Sequence, residues 1–101
     1  MTARVTDLDA LSSEPHAHVF PRDEPRTVRL SLPAGDAVPT HQHPDRLVVC
    51  HVVSGELDLR LGDESVTVTA GEAARFDGAQ DVSPRAVEDT EALLVLAKKT
   101  D

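Results

Sequence analysis

A chain of 101 residues is long enough to bury one modest core, and a net charge of −8 repels phosphate backbones and argues against nucleic acid as a partner. One cysteine, Cys50, cannot close an internal disulfide, so nothing argues for secretion. No apolar run approaches the ~20 residues of a membrane helix, and residues 1–15 contain no apolar stretch of the kind a signal peptide needs, so a soluble cytoplasmic protein is expected.

The acidity has a texture: Asp outnumbers Glu, and Arg outnumbers Lys. A strongly hydrated acidic surface poor in lysine suits a cytoplasm of very high salt, as in a halophilic archaeon, where self-repulsion is screened. Valine and leucine must supply the core, because isoleucine, tryptophan and tyrosine are absent and only Phe20 and Phe76 are aromatic. Valine leans toward strands, since β-branched side chains pack well on a pleated surface.

Residues 1–15 form an N-terminal segment in which residues 6–11 could make one helical turn before Pro15 breaks it. From residue 16 to residue 101 the pattern is strands and turns, one domain. Val28, Leu30 and Leu32 alternate with Arg29 and Ser31, a half-buried strand. Pro33-Ala34-Gly35-Asp36 turns the chain. Residues 47–53 are a nearly continuous apolar run, which predicts a strand covered on both faces. Leu57, Leu59 and Leu61 then alternate with Glu56, Asp58 and Arg60. Turns at Gly62-Asp63 and Ala70-Gly71-Glu72 bracket a strand carrying Val66 and Val68. Residues 73–76 form a short strand before Asp77-Gly78, residues 82–87 a weaker one interrupted by Pro84, and residues 92–97 close the domain. Short strands separated by turn signals indicate a sandwich or barrel.

The pointed chemical feature is Pro39-Thr40-His41-Gln42-His43-Pro44. In an extended chain residues i and i+2 share a face, so His41 and His43 point together and Gln42 points away. Pro44 pushes His43 toward extended conformations and Pro39 fixes the approach. Two adjacent imidazoles can chelate a divalent metal, although paired strand histidines are also ordinary surface features.

The run of turns resembles the small single-domain cupins of the cupin 2 conserved-barrel type. That family's first motif places HxH five residues after a glycine, as Gly35 and His41-Gln42-His43 stand here. Val52-Val53-Ser54-Gly55-Glu56-Leu57 is similar to the family's following hairpin, and Leu61-Gly62-Asp63-Glu64 and Thr69-Ala70-Gly71-Glu72 to its next turns. The likeness spans residues 28–97 and implies an all-β fold, the double-stranded β-helix or jelly-roll-like barrel. It also implies a four-ligand metal site of which this chain keeps two ligands. The motif glutamate falls on Val48, and the second motif's histidine falls on Val82 with Asp81 beside it. Either His51 or Asp81 is a candidate to complete the set; Asp45 is more simply a solvated turn residue.

These departures favour a stand-alone cupin that binds a small molecule, a divalent ion, or both, over a robust enzyme. A weakly bound zinc, iron, manganese or nickel ion at His41 and His43 is the expected cofactor. The alternative is a metal-dependent oxygenase or isomerase that uses His41, His43 and a substitute ligand; two histidines and a carboxylate would suit ferrous iron. A third reading makes the barrel a dimerisation scaffold. His16 and His18 form a second HxH for which the family pattern offers no role, so a strand edge or a dimer contact is expected there. Cys50 reads as a small buried hydrophobe. The arginines 26, 29, 46, 60, 75 and 85 are expected largely on outward or barrel-mouth positions, most of them as ion-paired solvated faces, with Arg75 or Arg85 near the mouth open to meeting an anionic ligand. Exposed strand edges predict a homodimer.

Overall fold

Alternation of apolar and polar residues sets the architecture, which a computed structural model describes for residues 2–100. After a single 3-10 turn at Leu8–Ala10, capped by the Asp7 side chain, come β1 (His16–His18), β2 (Arg26–Leu32), β3 (Arg46–Ser54), β4 (Glu56–Leu61), β5 (Glu64–Thr69), β6 (Ala73–Asp77), β7 (Val82–Ala86) and β8 (Thr90–Lys98). They form two antiparallel sheets, in the orders β1-β2-β8-β3-β6 and β5-β4-β7. The two inner faces meet in one core. Val28, Leu30, Val48, Cys50, Val52 and Leu96 come from the first sheet, and Leu57, Leu59, Val68, Val82 and Ala86 from the second.

Two glycines hold this arrangement for different reasons. Gly55 makes the β3–β4 turn at φ +87°, in the left-handed region, and a Cβ there would sit 2.3 Å from the Asp89 carbonyl oxygen. Gly78 is a point of close approach, where a Cβ would lie 2.5 Å from the His43 carbonyl oxygen and 2.9 Å from that of Arg46. Pro84 is tolerated inside β7 because its missing N–H faces away from β4, toward residues 35–41, where the Val38 carbonyl instead accepts from the Ser83 hydroxyl at 2.8 Å.

The structure departs from the sequence reading in two places. The run 47–53 is not covered on both sides: the residues of β3 alternate, with Val48, Cys50 and Val52 inward, while Val49 and Val53 are 38% and 46% exposed on the outer face. The reason is architectural. Both sheets are antiparallel and the second lies over one face of the first, so the outer face of β3 and β8 has no layer upon it. Two of the arginines expected on the surface are also buried. Arg29 is covered by the N-terminal segment, and its guanidinium donates to the carbonyls of Leu8, Leu11 and Ser13 at 3.1, 3.4 and 3.0 Å. Arg46 donates to both carboxylate oxygens of Glu24, at 2.6 and 3.2 Å, and to the Leu96 carbonyl at 2.9 Å. Each buried guanidinium therefore has acceptors that offset its desolvation.

Candidate functional site

Between the sheets the side chains do not fill the barrel. A cavity of about 380 Å³ remains, within the range of small-molecule sites. Its floor is apolar and fully buried, with Leu30, Cys50, Leu57 and Leu59 each at most 1% exposed. Its rim is formed by residues that reach solvent: His16, His18, Arg26, Thr40, His41 and His43.

The HxH segment is pinned at both of its histidines by backbone bonds. His41 exchanges two with Val82, at 3.0 and 2.9 Å, and the His43 N–H donates to the Gly78 carbonyl at 2.6 Å, made possible by the bare Cα of Gly78. The two imidazoles meet edge to face with ring centroids 4.9 Å apart. Gln42 points the other way and its side-chain amide donates to Asp81 at 2.8 Å. His41 Nδ1 lies 2.9 Å from the Pro39 carbonyl oxygen, an acceptor, so Nδ1 is the donor in that contact. Partial burial, and next the neighbouring His41, hold the His43 imidazole below its ordinary pKa. His16 is held down in the same way, by partial burial first and then by His41 and His18.

Sequence reasoning gave His16 and His18 no place in this site, yet both line the cavity rim. They stand on β1, opposite Leu30 and Val28 of β2, whose side chains face the cavity. The signal was present: HxH on a strand puts both rings on one face. What could not be read was the nonlocal pairing that brings that face to the barrel.

Neither candidate for a further metal ligand joins His41 and His43. His51 lies on the exposed outer face of β3, opposite Ala73 and Leu93. The register shift of β3 falls between Val52 and Ser54, past His51, and so does not turn it inward. Asp81 is held by Gln42 and lies with Arg60 and Asp63 in a separate surface depression, not on the cavity wall. Val48 and Val82, at the positions where the family's other two ligands are expected, do line the cavity, but they have no lone pairs to offer. Among the described residues no three His, Cys, Asp or Glu side chains form a set that could hold a metal ion. The donor set does not fit a firmly resident metal, which ordinarily needs three or four protein ligands.

Cys50 is fully buried in the cavity floor, and burial pushes its thiol up to about 11. It is a small hydrophobe here rather than a nucleophile. Arg75 lies on β6 opposite Val49, and Arg85 on β7 opposite Asp58; neither lines the cavity, whereas Arg26 does.

The two-sheet barrel and the HxH segment at its mouth agree with what comparison with known proteins finds. The Cupin domain family model matches residues 28–97, and the chain belongs to the cupin family. No curated protein matches the sequence. Among solved structures the chain is similar to a protein from Thermus thermophilus, at 26% identity and a TM-score of 0.72, covering 95% of this chain and 98% of that one. A conserved protein of unknown function from Streptococcus pyogenes aligns over 100% of this chain and 92% of its own, at 22% identity and a TM-score of 0.76. A predicted oxalate decarboxylase from Thermotoga maritima aligns over 83% and 79%, at 22% identity and a TM-score of 0.73. Likeness at these identities establishes the fold. No helix among the described residues is long and apolar enough to cross a membrane.

Proposed function

We propose that this cupin is a binding protein that holds a small, largely apolar molecule inside its barrel and does not itself carry out robust metal chemistry. The observation that supports it is the cavity: about 380 Å³ of space with an apolar floor and polar groups gathered at one rim. Catalysis by general acid or base needs a titratable group at the reacting centre, and the floor offers only the Cys50 thiol, raised to about 11. A divalent ion at the mouth would meet two imidazoles, so zinc, iron, manganese or nickel would bind weakly there. The acidic surface belongs to the same proposal as an adaptation to a salt-rich cytoplasm.

The test is thermal melting of the purified protein against a panel of small apolar molecules, repeated with Val82→Phe. Phenylalanine at that wall position fills part of the cavity. Compounds that raise the melting temperature of the natural protein should lose their effect on the variant. Equal stabilisation of both proteins would locate binding outside the barrel.

A further inference from the structure

The cavity wall has a charge pattern that the rest of the chain does not predict. The sequence contains 18 Asp and Glu residues against 10 Lys and Arg, so a wall drawn at random would be acidic. Among the described residues no Asp or Glu lines this cavity and its one Lys or Arg is Arg26, and four of the five histidines of the chain stand with it. Arg26 is exposed at the start of β2, and among the described residues it forms no ion pair; the pairs run from Arg4 to Asp23, Arg29 to Glu91, Arg46 to Glu24 and Lys99 to Asp77. The Glu24 carboxylate, bonded to Arg46, lies close enough to feel Arg26, yet among the described residues no carboxylate is in contact with it. A cation without an ion-pair contact thus stands beside an apolar cavity in a chain of net charge −8.

We infer that the molecule bound in the barrel is a compact apolar monocarboxylate, its hydrocarbon body on the Leu30, Leu57 and Leu59 floor and its carboxylate at Arg26 and the rim imidazoles. This deepens the binding proposal above and rests on it. A guanidinium forks onto a carboxylate with two parallel N–H bonds, the geometry that distinguishes this head group from a neutral amide or alcohol. The imidazoles share the work unequally. His41 commits its Nδ1 proton to the Pro39 carbonyl, whereas among the described residues His16, His18 and His43 have no such side-chain bond and stay available to the head group. The size of the body is bounded by the cavity: about 380 Å³ lies near the small end of ligand sites and suits a compact molecule.

The test is calorimetric titration at pH 7 and low salt with 1-naphthoate and its neutral isostere 1-naphthamide, which differ in charge and scarcely in shape. Naphthoate should bind at least ten times more tightly. Arg26→Gln, at an exposed position, should erase that difference by weakening naphthoate far more than naphthamide. Arg75→Gln, on the outer face, should preserve it. Equal affinity for the two probes in the natural protein, or a preference that survives Arg26→Gln, overturns the head-group assignment while the binding proposal stands. If neither probe binds, both fall together.

Discussion

Restoring the two absent ligands tests whether the family's metal positions still converge in this barrel. In the double variant Val48→Glu, Val82→His, both new side chains would enter the cavity wall beside His41 and His43. Without metal the variant should be much less stable. Val48 is 3% exposed, and a carboxyl placed there stays neutral. Holding a group of ordinary pKa ~4.3 protonated at pH 7 costs about 1.36 kcal/mol per unit, or about 3.7 kcal/mol. For a domain of this size that corresponds to a melting temperature lower by roughly 15–30 °C. Zinc at a hundred times its dissociation constant would return about 2.7 kcal/mol, most of the loss. Differential scanning fluorimetry with zinc and with chelator reads both quantities, and adding His41→Ala should abolish the rescue. The natural protein, with two imidazoles, should melt at nearly the same temperature in zinc and in chelator. The reasoning is refuted if zinc fails to rescue the folded double variant, or if the natural protein keeps one equivalent of metal through dialysis against chelator.

Four further outcomes follow from other parts of the molecule. The Cys50 thiol, buried in the floor with its pKa at about 11, should react with Ellman's reagent at pH 8 only after unfolding in guanidinium; rapid labelling of native protein would contradict its burial. Glu24 is held below its ordinary pKa, first by the hydrogen bond from Arg46, so its contribution is present above pH ~4.5 and is lost as pH falls through the lower folded value. Glu24→Gln should therefore flatten the acid limb of a melting-temperature profile, and an unchanged limb would remove that pair from the account. If the acidic surface is adapted to salt, the melting temperature should climb as potassium chloride rises toward molar levels, and a flat or falling response would leave ordinary solubility as its role. The uncovered apolar strip of Val49, Val53, Leu93 and Val95 on the outer sheet face should pair with a second copy, giving a dimer by sedimentation equilibrium that Val49→Asp returns to monomer; a monomeric natural protein would rule this out.

Much of the fold was legible because each strand writes its inner face in alternation. Leu57, Leu59 and Leu61, or Val28, Leu30 and Leu32, need no partner strand to show which side is buried. The run 47–53 misled because valine occupies its inner and outer faces alike, and residue type alone does not say whether a second layer lies beyond. Burial of Arg29 was hidden for a related reason: its cover is backbone carbonyls of a segment sixteen or more residues away, and carbonyls carry no sequence signature. In the site, local spacing brought His41 and His43 together correctly. The placement of His16, His18 and Arg26 depends on β1 and β2 pairing across the sheet, which local pattern does not reveal. Which of the arginines reaches the mouth was not legible, and Arg26 on β2 does so while Arg75 on β6 and Arg85 on β7 do not, because alternation assigns a face but not which end of the barrel a residue occupies.

The central claim is that the barrel interior is a binding site, and methyl-resolved NMR tests it most directly. Valine and leucine line the cavity floor and also the outer sheet face, so their methyl groups report on both surfaces in one titration. On addition of 1-naphthoate, the resonances of Leu57, Leu59, Val48 and Val82 should shift and saturate together, while those of Val53, Leu93 and Val95 stay in place. Shifts confined to the outer-face methyls, or none at ligand concentrations of several millimolar, would contradict it.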